Sequence, residues 1–175
     1  RTGDYHGSMH EENFTKWFVQ LWGESLGKID VHGDRVGLTP IGLIGSVDQH
    51  SFLQLIIEGP KDKHVTFIKI DNFENDFCIP DISLEGIEKT DFINDTSFNT
   101  LINAQCDATI QSLKESGVTA DLISIGEISE KNIGALMMYF ELLTSLVGSM
   151  FKVNTYNQPG VELGKDILYK NLGNK

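Results

Sequence analysis

A chain of 175 residues is long enough to bury one substantial core and too short to promise two, so one α/β-sized unit is expected. Its 25 acidic residues outweigh 14 basic ones, and the net charge of −11 argues against nucleic acid and anionic membranes as partners. The same field repels anionic small molecules on average, so a phosphate site would need local donors or cations.

The opening residues, RTGDYHGSMHEEN, are polar and contain glycine. They predict a solvated tail, although His6, His10 and Glu11 could together approach a metal ion. Phe14, Trp17, Phe18, Leu21 and Trp22 then recur at steps of three and four, which predicts an amphipathic helix over 13–26 ended by Gly27. Residues 30–40 carry Gly33, Gly37 and Pro40 and read as turns, followed by a short apolar strand over 41–44. A helical pattern resumes over 48–58, with Phe52, Leu55 and Ile56 on one side, and Gly59-Pro60 stops it.

Residues 65–70 are β-branched and partly alternating, which predicts a strand; 79–88 reads as an irregular connection. Phe98, Ile102, Cys106, Ile110 and Leu113 form the stripe of a helix that Thr96 or Ser97 caps and Gly117 ends. A strand over 122–125 follows. Ser129 then caps a long helix over 130–153 whose apolar residues occupy nearly every face, predicting burial on several sides, in a core or a subunit interface. Its most apolar stretch has the length of a short membrane span, but Glu141 sits inside it, and a central carboxylate is costly there.

Strands alternating with helices predict a parallel sheet covered on both faces. Three strands are few for such a fold, so a further strand or a neighbouring stretch of chain is expected. Cys78 and Cys106 show no paired spacing, no basic segment followed by an apolar one opens the chain, and a reduced cytoplasmic protein is expected.

Three places could carry chemistry. Gln20 and Glu24 are four apart and share a helix face, either as a solvated surface or as an amide beside a carboxylate base. Gly45-Ser46-Val47-Asp48-Gln49-His50 joins a strand to a helix, either as an ordinary capping turn or as a loop offering backbone N–H groups and an acid/base histidine. Pro159-Gly160 forces a corner that puts Gln158 before a final helix starting near Val161 and Lys165 one turn inside it.

The segments WFVQLWGESLGK, DQHSFLQLIIEGPKDK and FKVNTYNQPGVELGK, in that order, resemble the C-terminal part of phosphoglucose isomerases of the bacterial type. The resemblance implies an α/β parallel-sheet three-layer sandwich of the sugar-isomerase (SIS, flavodoxin-like) type with flanking helices. Residues 1–28 would be a tail and helix carrying Gln20 and Glu24, and 29–175 the SIS-type domain, together one folded unit. It further implies that Glu24 is the catalytic base, that His50 and Lys165 open the sugar ring, and that Gln20 and Gln158 contact the substrate. Substrates would be glucose 6-phosphate and fructose 6-phosphate, interconverted through a cis-enediolate with no metal or cofactor. The enzyme would be a homodimer whose histidine reaches across to the opposite subunit's site. An intact family member is much longer, and its earlier half supplies a Ser/Thr-rich phosphate cradle and an enediolate-stabilising arginine that this chain lacks. Part of a transaldolase fusion, or a noncatalytic sugar-phosphate-binding module, would share the same fold.

Overall fold

The computed structural model describes residues 2–6 and 12–173. Its centre is a four-stranded parallel sheet built from β1 (Thr2–His6), β4 (Pro40–Ile44), β5 (His64–Ile70) and β6 (Thr119–Ile125), in the order β4-β1-β5-β6. The antiparallel pair β2 (Lys28–Ile29) and β3 (Arg35–Val36) stands apart from it. The Asp30 carboxylate closes that hairpin, accepting the His32 N–H at 2.8 Å and the Asp34 N–H at 2.9 Å.

β1 corrects the expectation of a solvated tail. Thr2 pairs with Pro40 on one side and His64 on the other, so the segment lies inside the sheet. Its polar sequence shows no apolar alternation; backbone pairing on both sides makes it a strand. This is the further strand that a three-stranded sheet required. His10 and Glu11, the other members of the conceivable metal cluster, lie outside the described residues, and no group of three ligating side chains occurs among the described ones.

Helices cover both faces. α1 (Glu12–Leu26) and α4 (Glu130–Phe151) lie on one side, where Phe18, Trp22 and Leu26 pack with Ile68, Leu136 and Phe140. α2 (Leu53–Glu58) and α3 (Phe98–Glu115) cover the other, where Ile56, Ile110 and Leu113 pack with Leu43, Val65 and Phe67. Val65 and Phe67 face one layer and Ile68 the other, as the alternation of a strand requires. Fully burying one such side chain stabilises by about 1.5–3 kcal/mol, so these two clusters hold the sandwich together. Gly42 lets α1 approach closely: a Cβ there would lie 2.6 Å from Thr15 Cβ.

The caps fall where the sequence put them. Ser97 Oγ accepts the Thr100 N–H, Ser129 Oγ accepts the Asn132 N–H, and Gly117 takes φ 72° beyond the end of α3. Along α3 the stripe is buried at Ile110 and Leu113 but Phe98 is exposed.

Two helices differ from expectation. The pattern over 48–58 breaks into a 3₁₀ turn at Asp48–His50 and the short α2, because Asp48 uses its side chain as well as its carbonyl to bond Ser51. α4 is buried along one stripe only, at Leu136, Phe140, Thr144 and Gly148. Its outward face leaves Met138, Leu142, Leu146 and Met150 exposed. α4 is long and apolar enough to cross a membrane by length and composition, yet its buried stripe packs as the core helix of the sandwich. The last helix, α5 (Pro159–Gly173), has no buried residue and presents Val161, Leu168 and Leu172 to solvent.

Candidate active site

α1 buries Phe18, Trp22 and Leu26, which turns Gln20 and Glu24 outward on the opposite face. Gln20 Nε2 donates to Glu24 Oε1 at 3.3 Å, so the amide orients one carboxylate oxygen and leaves the other open. The helix ends at once. Gly27 N–H bonds back to the Gly23 carbonyl at 3.1 Å, and Lys28 Nζ donates to the carbonyls of Glu24 and, at 3.1 Å, Ser25. Burial pushes the Lys28 ammonium below its ordinary value, while the neighbouring Glu24 charge opposes the shift.

At its far end, α4 stops in a left-handed Lys152 (φ 57°), and Thr155 tucks under Gly148. The chain then turns at Pro159, with Val161 N–H bonded to the Gln158 carbonyl at 3.1 Å. That corner lands against the end of α1. Gly23, Glu24, Gly27, Lys28, Gln158, Pro159, Gly160 and Val161 line one cleft of about 210 Å³. Two residues singled out from distant segments, Glu24 and Gln158, therefore meet in space.

The other candidates stand elsewhere. Lys165 lies further along α5, exposed, in an ion pair with Glu162 at 2.7 Å. His50 ends the 3₁₀ turn beyond β4, exposed, and its ring makes no hydrogen bond or ion pair among the described residues. Neither lines the cleft that holds Glu24. Lys28 is the cleft residue that spacing did not single out, although a lysine just past a glycine-ended helix is a recognisable partner for the last carbonyls.

The cleft and the Gln20 amide behind it thus offer a carboxylate, two amides and an ammonium around a space open to solvent, a set suited to moving a proton on a polar anionic ligand. Comparison with known proteins places the chain in a family. The family described as Phosphoglucose isomerase matches residues 5–174. The chain belongs to the phosphoglucose isomerase family.

Within that family, the glucose-6-phosphate isomerase of Campylobacter jejuni is 47% identical over 163 residues, which make up 93% of this chain and 39% of that protein. The glucose-6-phosphate isomerase of Rubrobacter xylanophilus is 41% identical over 93% of this chain and 36% of its own length. The chain accordingly spans well under half the length of these phosphoglucose isomerase relatives. Among solved structures, a hypothetical protein from Thermus thermophilus superposes with a TM-score of 0.90 at 35% identity, covering 98% of this chain and 41% of that one. A glucose-6-phosphate isomerase from Chlamydia trachomatis shares the fold with a TM-score of 0.79 at 22% identity, over 98% of this chain and 34% of its own. The phosphoglucose isomerase match contains all three segments, 17–28, 48–63 and 151–165. The expected α/β sandwich with a parallel sheet and flanking helices is the fold observed.

Proposed function

We propose that this chain is the part of a glucose-6-phosphate isomerase that carries the proton-transfer groups, and that its parent protein interconverts glucose 6-phosphate and fructose 6-phosphate through a cis-enediolate. The observation that carries it is the meeting of Glu24 and Gln158 in one cleft at the junction of α1 and α5.

In this mechanism Glu24 moves the proton between C2 and C1. A solvent-exposed carboxylate held by Gln20 keeps one oxygen free to take that proton. Gln158 hydrogen-bonds the sugar hydroxyls from the opposite wall of the cleft, and Gln20 fixes the carboxylate. Lys165 and His50 transfer the proton that opens the ring. The phosphate cradle and the arginine that stabilises the enediolate come from the part of the parent protein outside this chain, so the net charge of −11 is no obstacle here.

His50 stands outside the Glu24 cleft with a free ring, which supports its serving the site of a second subunit in a homodimer. The exposed apolar faces of α4 and α5 supply surface for such contacts, or for contacts with the rest of the parent chain. A soluble, cytoplasmic enzyme without metal or cofactor fits these parts. The test is a coupled assay of the complete parent protein with fructose 6-phosphate, followed by mixing His50→Ala and Glu24→Gln subunits. A site composite across a dimer regains partial activity in mixed dimers, because one of their two sites is undamaged. A complete parent protein without isomerase activity would sink the proposal; inactive mixed dimers would sink the crossing histidine alone.

A further inference from the structure

We propose that Asp48 is a positioning residue for His50, the clamp that fixes the loop presenting the imidazole; this rests on the ring-opening role proposed for His50 above. The Asp48 carboxylate bridges the two ends of that loop. Its Oδ2 accepts the Ile44 N–H, at the end of β4, at 2.7 Å, and its Oδ1 accepts the Ser51 hydroxyl at 2.8 Å. Its carbonyl also accepts the Ser51 and Phe52 N–H groups at 3.2 and 2.9 Å. Ile44 before His50, and Ser51 and Phe52 after it, are therefore tied to one aspartate.

Two further features show that this loop is held. Ser46 sits in the left-handed region at φ 62°, a conformation costly for a non-glycine residue and kept only where its surroundings impose it. Gln49 Nε2 donates to Thr109 Oγ1 at 2.6 Å, anchoring the turn to α3 through a buried threonine that in turn bonds the Gln105 carbonyl. Against this scaffold the His50 ring is exposed and makes no hydrogen bond or ion pair among the described residues. A general acid gains its rate from being held in place, and displacement by about 1 Å can cost on the order of 10²-fold, so a tethered backbone under a free ring is the arrangement that ring opening needs.

The test compares Asp48→Ala, Asp48→Asn and Ser51→Ala in the complete parent enzyme, on the cyclic sugar phosphate and on an open-chain analogue that cannot cyclise. We expect Asp48→Ala to lose roughly 10- to 100-fold in kcat on the cyclic substrate with little loss on the open-chain one, since only the cyclic form needs His50. Asp48→Asn keeps an acceptor for the Ile44 N–H and should recover most of the rate. Ser51→Ala removes one arm and serves if Asp48→Ala fails to fold; it should show a smaller loss of the same kind. Hydrogen exchange at the Ile44 amide reads the clamp without chemistry and should accelerate in Asp48→Ala. Full activity on the cyclic sugar, or unchanged Ile44 exchange, overturns the positioning role. Should His50→Ala lose equally on both substrates while Ile44 exchange still accelerates in Asp48→Ala, the role given to His50 falls and the clamp stands.

Discussion

Gln20 and Glu24 lie one turn apart on the outward face of α1, and the amide of the first holds a carboxylate oxygen of the second at 3.3 Å. The pair is exposed, and neither side chain packs into the core. In the complete parent enzyme, Glu24→Gln should therefore leave the fold intact, because the amide keeps the shape of the side chain but cannot take a proton. The expected loss is about 10² to 10⁴ in kcat, read together with the disappearance of solvent deuterium exchange at C2. Retained exchange would assign the base to another residue.

The 175-residue chain by itself should show little or no isomerase activity, since its Glu24 cleft, about 210 Å³ in volume, is open to solvent and walled by two helix ends. A coupled assay at high protein concentration checks this. Turnover near that of an ordinary full-length isomerase would show that no other part of a parent protein is needed.

Packing at the junction of α4 and α5 gives a stability prediction. A Cβ on Gly148 would fall 2.0 Å from Thr155 Cγ2, and Thr155 is itself buried. Gly148→Ala should cost about 1–3 kcal/mol by overpacking, measured by urea unfolding. Adding Thr155→Ser removes the offending methyl and should restore much of the loss. Because this contact sets the corner before Gln158, the single variant should also weaken sugar-phosphate binding in the parent enzyme.

Leu113, with no exposed surface, and Leu146, 65% exposed, lie on α3 and α4. Leu113→Ala should destabilise the isolated chain by about 2–5 kcal/mol, and Leu146→Ala should fall within about ±0.5 kcal/mol. In the complete parent protein Leu146→Ala should become measurably destabilising if α4 is covered there. Equal, small effects in both settings would leave the outer face of α4 without a partner.

Cys106 carries the chain's pH signature. Burial, with the Asp107 carboxylate adding to it and Lys69 opposing, raises its thiol above the ordinary cysteine value. Less thiolate is therefore present at any given pH, and iodoacetamide near pH 8 should label the exposed Cys78 well before Cys106. The sign for stability follows from the same shift. The folded state holds the proton more tightly, so this group's contribution is whole below the unfolded thiol value and is lost as pH rises through the folded one. Equal labelling rates, followed by mass spectrometry, would contradict the shift.

The elements whose cause is local were legible in the sequence. The 3.6-residue stripe of α1, the serine caps of α3 and α4 and the turn at Gly117 follow from side chains acting on their own neighbourhood. β1 was not, because polar residues 2–6 become a strand only by pairing with partners far along the chain. The break after His50 was hidden for a different reason: Phe52, Leu55 and Ile56 keep helical spacing, while Asp48 diverts the backbone through side-chain bonds that no periodicity records. At the candidate site, the adjacency of Gln20 and Glu24 is a matter of helical spacing alone. The meeting of Glu24 with Gln158 depends on α4 packing against α1 and on the close approach at Gly148, which only the assembled fold contains.

β1 also bears on how the molecule assembles. Its two neighbours, β4 and β5, make no sheet contact with each other and are joined only through it. The first strand in the chain is thus the seam of the sheet, and both of its pairings must wait for distant residues. Such non-local pairing raises contact order and slows folding. Until the seam closes, β4 and β5 each present a bare backbone edge, so the interval before β1 docks is when this chain is most exposed to strand exchange with a second copy and to aggregation.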